Sequence, residues 1–388
     1  MTSRQLAGPS ARLCLGFAIA GLCGPSFAQS TVTLGGMINA GVLYVNNSAG
    51  ASAWTTTTSQ LSPTRFFLAG SEDLGGGNRA VFRLMAPFNI QTGTGSGRAW
   101  NVAYVGLAKR GIGSLTIGRQ FDSLPTIMQG IASTSEWGGT ISAHAGNADN
   151  LSSSFKSSNA VKFTSVAYRG LVTSATYAFS NSANTGNGSS GFAVNRMMSA
   201  GTSYSNGPVR LSAAYFLADR PDGQASGAIG TTGSGVTDDF TKTGFTSSYS
   251  GKALIDTQQI WMAGGTYAIG DVTIGALYSK VLYHYRDNTG FHIENYELNA
   301  RWRPSATWQF GAAVFRSAGA YNGAGTGNLR PAWNQLTLSV EYFLSKRTWL
   351  YALAAGQQAS RTKAQIYSMS ASTTTRQLVL TSGIQHVF

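Results

Sequence analysis

The sequence predicts an all-β fold, a transmembrane barrel of sixteen antiparallel strands, and three observations carry that prediction. Past residue 28, no stretch approaches the roughly 18 consecutive apolar residues that a helical span requires. Only 11% of the 388 residues are charged, against about 25% in an average soluble domain, while glycine reaches 48 residues and aromatics 11%. Segments of about ten residues alternate apolar and polar with period two, the dyad pattern of a membrane strand. An open sheet in hydrocarbon would strand the donors and acceptors of its edges, so a spanning chain of this kind must close on itself.

The first residues set the compartment. Arg4 and Arg12 give a basic start, Leu13 to Gly24 forms an apolar run, and Ser26-Phe27-Ala28 supplies a small-x-small cleavage site. Residues 1–28 are expected to be an export signal and residues 29–388 the barrel, beginning at Gln29. Leu22 is too large to precede a lipidated cysteine, so Cys23 does not read as a lipid anchor. Both cysteines, Cys14 and Cys23, fall in the signal. An exported chain without disulfides depends on a large hydrogen-bonded framework instead. Loss of Arg4 and Arg12 takes the formal charge from +13 to +11.

The strands follow in order along the chain. Val272, Ile274, Ala276 and Tyr278 oppose Thr273, Gly275 and Ser279. Tyr296, Leu298, Ala300 and Trp302 oppose Glu297, Asn299, Arg301 and Arg303, and Trp308, Phe310 and Val314 oppose Thr307, Gln309 and Gly311. Leu336, Leu338, Val340, Tyr342 and Leu344 share one face against Gln335, Thr337, Ser339 and Glu341. In the last segment Leu378, Leu380, Ile384 and Phe388 alternate with Gln377, Thr381, Gly383 and Gln385. Soluble sandwiches alternate too, so the turns discriminate better. Seven short turns, centred near Gly75-Gly76, Gly111, Gly170, Gly207, Gly270, Pro304 and Lys346, interleave with eight longer polar connections at 46–61, 89–97, 122–156, 183–193, 219–254, 287–291, 319–331 and 363–373. Short turns on one rim and long loops on the other give sixteen strands in the outer-membrane arrangement. Tyr104, Tyr168, Tyr204, Trp302, Trp308, Tyr342 and Trp349 stand near turns, as aromatic girdles do.

Other chemistries find little support. The mature chain offers only His144, His284, His292 and His386, and no Gly-x-Ser-x-Gly elbow pairs with a plausible acid. The Gly111–Gly113 turn lacks the strand-to-helix setting of a phosphate cradle. No metal cluster or cofactor motif is visible, and no adhesive passenger domain remains once sixteen strands are counted. The basic residues are scattered over strands and turns, which argues against nucleic acid despite an isoelectric point near 9.9.

Several blocks resemble the general porins of Gram-negative bacteria, above all the β-proteobacterial ones. They are Arg65-Phe66-Phe67-Leu68-Ala69-Gly70-Ser71-Glu72-Asp73-Leu74-Gly75-Gly76-Gly77, Ala103-Tyr104-Val105-Gly106-Leu107, Gly118-Arg119-Gln120-Phe121, Asn159-Ala160-Val161-Lys162-Phe163 and the terminal Gly383-Ile384-Gln385-His386-Val387-Phe388. Five blocks in order span the mature chain. The resemblance implies a homotrimeric outer-membrane channel for small hydrophilic solutes and ions, surrounded by membrane lipid and lipopolysaccharide. It also implies a third external loop, from Phe121 to about Phe155, folded into the barrel. Within it, Ser135-Glu136-Trp137-Gly138-Gly139 is similar to the family's Pro-Glu-Phe-Gly-Gly tip, with Ser135 and Trp137 as departures.

A pore of this kind selects by the sign of the charges in a narrow neck. Phe66 and Leu68 face lipid by parity, which turns Arg65 to the lumen. Ala80, Phe82 and Leu84 do the same for Arg79 and Arg83, and Val161 and Phe163 for Lys162. Arg65 falls at a constriction arginine of the family, whereas Asn101 stands at another and Ala69 at an inner position. The loop contributes Glu136, with Asp122 at its base. The expected constriction is therefore Arg65, Arg79, Arg83, Asn101, Lys162, Asp122 and Glu136, weakly to moderately anion-selective. A channel specific for small anions or organic acids is the rival, for which more lumenal arginines and several inward loops are expected. Arg119 shares parity with Leu115 and Ile117, so it is expected outward, at a subunit interface. Phe388 and Ile384 resemble the terminal signal read by the barrel-assembly machinery.

Overall fold

The computed structural model describes residues 30–95, 99–180, 196–220, 255–323 and 329–388. Residues 1–28, the expected export signal, therefore lie outside the described residues. Along the rest, the alternating segments zip into one continuous antiparallel ladder. Its strands are β1 (Thr31–Ser48), β2 (Ala51–Thr58), β3 (Arg65–Gly75), β4 (Asn78–Pro87), β5 (Val102–Lys109) and β6 (Gly113–Gln120). There follow β7 (Ser157–Ser165), β8 (Leu171–Ala178), β9 (Arg196–Asn206), β10 (Val209–Asp219), β11 (Ile255–Ile269) and β12 (Val272–Tyr285). The last are β13 (Gly290–Trp302), β14 (Trp308–Asn322), β15 (Ala332–Phe343), β16 (Thr348–Ser360) and β17 (Arg376–Val387).

From β3 onward each strand pairs with the next, and β17 returns to β1, with Met37 opposite Val387 and Val45 opposite Val379. On its other edge β1 pairs twice, with β2 along Ala40–Ser48 and with β3 along Thr31–Met37. β2 and β3 are thus two halves of one stave, and the closed barrel has sixteen. The first connection differs from its expectation. Ala49 and Gly50, both at positive φ, make a tight hairpin where a long loop over 46–61 was expected. The irregular piece is instead 59–64, inside the stave. Thr64 holds it, its hydroxyl accepting from the Asn39 amide (2.9 Å) and donating to the Asn39 carbonyl (3.1 Å).

The two faces separate as the alternation demands. Leu107, Ile117, Leu298, Val314, Leu336 and Leu380 are exposed outward, an arrangement that only a hydrocarbon surround makes favourable. Near the short turns, Trp308 lies 4.7 Å from Tyr342 and 5.9 Å from Phe310, ring centre to ring centre. Towards the opposite rim, Tyr215 pairs with Trp261 at 4.2 Å. Two expected girdle residues sit elsewhere. Tyr104 pairs across strands with inward Arg83, and Trp349 shares parity with buried Tyr351 and Leu353, so both face the lumen.

The seam is closed by the last residue. Phe388 exchanges backbone hydrogen bonds with Gly36 at 3.0 and 3.1 Å, and its ring lies against that glycine. A Cβ at Gly36 would come within 2.2 Å of the ring, so no other residue fits without moving the terminus.

Candidate functional site

The polar-inside rule breaks on one half of the wall. On β9 to β13 the inward positions include Met197, Phe216, Ile260, Leu277, Val281, Tyr283, Phe291 and Ile293, all buried. Their cover is the connection between β6 and β7. It contains α1 (Ser123–Met128), α2 (Ser133–Glu136) and two short 3₁₀ turns at Thr140–Ser142 and Ala145–Asn147. Leu124, Ile127, Met128 and Ile131 are buried in one cluster with these wall residues. Each such side chain contributes roughly 1.5–3 kcal/mol by leaving water. Trp137, 1% exposed, lies against Gly311, where a Cβ would stand 2.3 Å from the indole.

Polar fastenings accompany this packing. Both ring nitrogens of His144 face carboxylates, Nδ1 on Asp149 Oδ2 at 2.6 Å and Nε2 on Glu297 Oε2 at 2.9 Å, with all three side chains essentially buried. Two acceptors require two ring protons, so the imidazole is held as a cation. Burial alone would lower its pKa, but the Asp149 and Glu297 carboxylates outweigh that and raise it to about 10. Asp149 stays below the usual carboxylate range: its burial pulls the other way, but the charge of and bond to His144 prevail, and Ser279 adds a bond of 2.6 Å. Glu297 also accepts from the Ser133 amide (2.7 Å) and from Asn299 (2.7 Å). The loop is therefore pinned to β12 and β13 by a buried network in which Asp149 Oδ2 takes the bonds and Oδ1 has none.

Lys162 and Asp122 need correction. Parity turns Lys162 inward, but its Nζ donates to the Phe121 carbonyl (3.0 Å), the Asp122 carbonyl (3.3 Å) and Thr126 Oγ1 (2.6 Å), and the side chain is buried. Asp122 is wholly buried. It caps α1 by accepting from the Leu124 amide at 2.7 Å and accepts from Asn150 at 3.2 Å. Burial pushes its carboxyl up to about 6. Both are anchors at the base of the loop and do not face a solute path, because the loop covers them.

The loop leaves β3, β4 and β5 open. Here Arg65 is half-buried, donating to the Pro63 carbonyl at 3.1 Å. Arg83, opposite Ala69 and Tyr104, stacks its guanidinium 4.0 Å from the Phe67 ring centre. A guanidinium over a ring face is held by a cation–π attraction, and Arg83 remains partly exposed. Arg79 is exposed and paired across strands with Asp73, beside the turn that begins at Gly75, which puts it on the rim and away from the neck. Asn101 precedes β5, its amide donating to the Met85 carbonyl at 2.8 Å.

The loop itself keeps one exposed edge. Glu136 accepts from Arg301 Nη1 at 2.5 Å, both partly exposed. Arg210 donates to the Ile127 carbonyl and to Ser203, each at 3.2 Å, and reaches the same edge beside Gly130. Arg301 and Glu297 were legible on the polar face of their strand, and Arg210 alternates with outward Leu211. The missing signal was which of these the loop would cover. Arg119 keeps its outward parity, opposite Ala103. Its Nη1 donates to the Lys156 carbonyl (3.0 Å) and Ser158 Oγ (2.8 Å), so its own chain supplies partners that the expectation gave to a neighbouring subunit.

A closed sixteen-stave barrel with an apolar outside and a charged, partly covered inside defines a membrane channel. The family model of Gram-negative porins matches residues 16–362, and the chain belongs to that family. It is an outer-membrane channel for passive diffusion. It is 27% identical over 368 residues to an outer membrane porin of Bordetella pertussis, covering 86% of this chain and 90% of that one. Outer membrane porin protein 32 of Delftia acidovorans is 35% identical over 113 residues, 29% of this chain and 32% of that protein. Among solved structures, the anion-selective porin from Comamonas acidovorans superposes with a TM-score of 0.69 at 21% identity, covering 93% of this chain and all of that one. The trimer form of OmpT from Vibrio cholerae gives 0.65 at 12% identity, over 92% and 99%.

Proposed function

We propose that the channel is weakly to moderately anion-selective and that residues 121–156 form its narrowing third loop. The neck then lies between Arg65 and Arg83 on one side and the Glu136 edge on the other. One observation carries this reading: Arg65 and Arg83 of β3 and β4 remain half-open with no acid paired to them among the described residues, while the loop's acids are spent. Asp122 and Asp149 are buried and Glu136 is bonded to Arg301. A low-dielectric neck with an unmatched positive wall favours anions. The anion-selective porin among the neighbours supports the same sign.

The zero-current potential across a planar bilayer in a dilute salt gradient tests this. Anion preference is expected, and a clear cation preference overturns it. We further propose a homotrimer in the outer membrane, in contact with lipid and lipopolysaccharide. Residues 1–28 are removed on export, and Phe388 with Ile384 present the assembly signal. A folded band that always migrates as monomer in unboiled gels would refute the trimer.

A further inference from the structure

We propose that the connection between β16 and β17, residues 361–375, is a second filter element, seated over the lumen and coupled to the loop 121–156 through Gln335 and Gln357. The inference rests on the channel reading above. The sequence presents 363–373 as an ordinary polar external loop, yet Ala364 and Ile366 are wholly buried. Besides bonds within the segment and to the β1–β2 hairpin at Ala49 and Asn47, its anchors come from the inward face. Trp333 Nε1 donates to the Lys363 carbonyl at 3.2 Å, and Gln377 accepts from the Ile366 amide at 2.7 Å while donating to the Ser370 carbonyl at 2.8 Å. Ile366 packs in one buried cluster with Leu353 and Val379 of the wall and with Ile141 of the loop 121–156.

A chain of amides joins the two segments. Gln335 Nε2 donates to the Ile141 carbonyl at 2.6 Å, Gln357 Nε2 donates to Gln335 Oε1 at 3.0 Å, and the Gln365 amide donates to Gln357 Oε1 at 2.6 Å. Gln335 and Gln357 are both buried, so each unmade bond would leave a desolvated polar group. Neither segment can shift without breaking the relay. Exposed Arg361 and Lys363 stand at the start of the upper segment, and 361–375 contains no acid. The segment therefore screens by size and adds positive charge on the approach to the neck, which suits small anionic solutes.

The test compares the wild-type chain with one in which residues 363–373 are replaced by a short Gly-Ser turn, both in planar bilayers and in swelling liposomes loaded with neutral sugars of increasing size. Loss of the segment should raise conductance by about 1.5-fold or more and admit larger sugars, as widening a constriction does. Unchanged conductance and exclusion in a folded, heat-modifiable variant overturn the proposal. Should that variant fail to fold, Gln335→Met with Gln357→Met keeps the segment and cuts only the relay. It should increase open-channel noise, and a trace as quiet as wild-type counts against the coupling and overturns it. A wild-type chain that forms no channel would instead sink the channel reading, so the two failures are distinguishable.

Discussion

Two stretches of the same inner wall use the same residue types for opposite ends. On β3 and β4 the inward charges, Arg65 and Arg83, remain half-open, one leaning on a carbonyl and one on the Phe67 ring. On β7 to β13 the inward charges, Lys162 and Glu297, are buried under the loop and saturated with bonds. Parity assigns all four to the lumen. Cover alone decides which of them a passing ion can feel. A charge in the open neck tunes permeation and contributes little to stability, whereas a covered one holds the loop and is electrically silent to the solute.

The sharpest way to break that contrast is at His144. His144→Ala leaves Asp149 and Glu297 facing each other without a cation, and removing one member of a buried charged network costs about 3–5 kcal/mol. Amides of Ser133 and Ala145 should then exchange hydrogen faster, and channel current should become noisy. Alkali should act in the same direction. The pKa of His144 is raised above that of free imidazole to about 10, so its contribution is complete below about pH 6.5 and is lost as pH climbs through about 10. Asp149 has the opposite sign, its contribution present above the usual carboxylate range and lost on strong acidification. Loop protection that is flat from pH 4 to 11 would remove His144 from this role.

Next in size is Lys162→Met, which strips partners from the Phe121 and Asp122 carbonyls and Thr126. The cost of such unmade bonds is about 1–3 kcal/mol. Its signature is loop loosening with little change in zero-current potential. A large shift in selectivity would return Lys162 to the neck. Arg65→Ala with Arg83→Ala should do the reverse: unaltered melting, and a zero-current potential displaced towards cations. At an effective dielectric of 20, charges about 8 Å from an ion act with roughly 2 kcal/mol before salt screening, which should erase most of the shift at 1 M. The smallest effect belongs to Glu136→Gln. It should move selectivity further towards anions, but only by tenths of that energy, because the carboxylate is already matched by Arg301. Equal and opposite shifts from the two experiments would mean that Glu136 is open after all.

The alternation in the sequence was enough to count staves and to turn side chains in or out, because period two is a local property. Leu298, Leu336 and Leu380 face outward as their spacing requires. Tyr104 and Trp349 show the limit, since standing near a turn does not set a face. What the sequence hid was non-local. Leu277, Val281 and Tyr283 look like violations of a polar lumen until the loop that covers them, more than a hundred positions earlier, is in place. The same cover withdraws Lys162 and Asp122 from the solute. The short hairpin at Ala49-Gly50 was masked by a polar threonine run that reads as loop but pairs as β2.

The seam between β1 and β17 has a consequence in time. Asn39 donates to Gln385 at 3.2 Å across 346 positions of chain, and the ring that covers Gly36 belongs to the final residue. Closure must therefore wait until β17 has arrived, 346 positions after Asn39. Until then β1 is an unpaired edge, the kind of surface that templates aggregation, and pairing across such separations is slow. A chain of this design is most vulnerable during its transit, and its half-life there should depend on escort far more than on any contact inside the finished barrel.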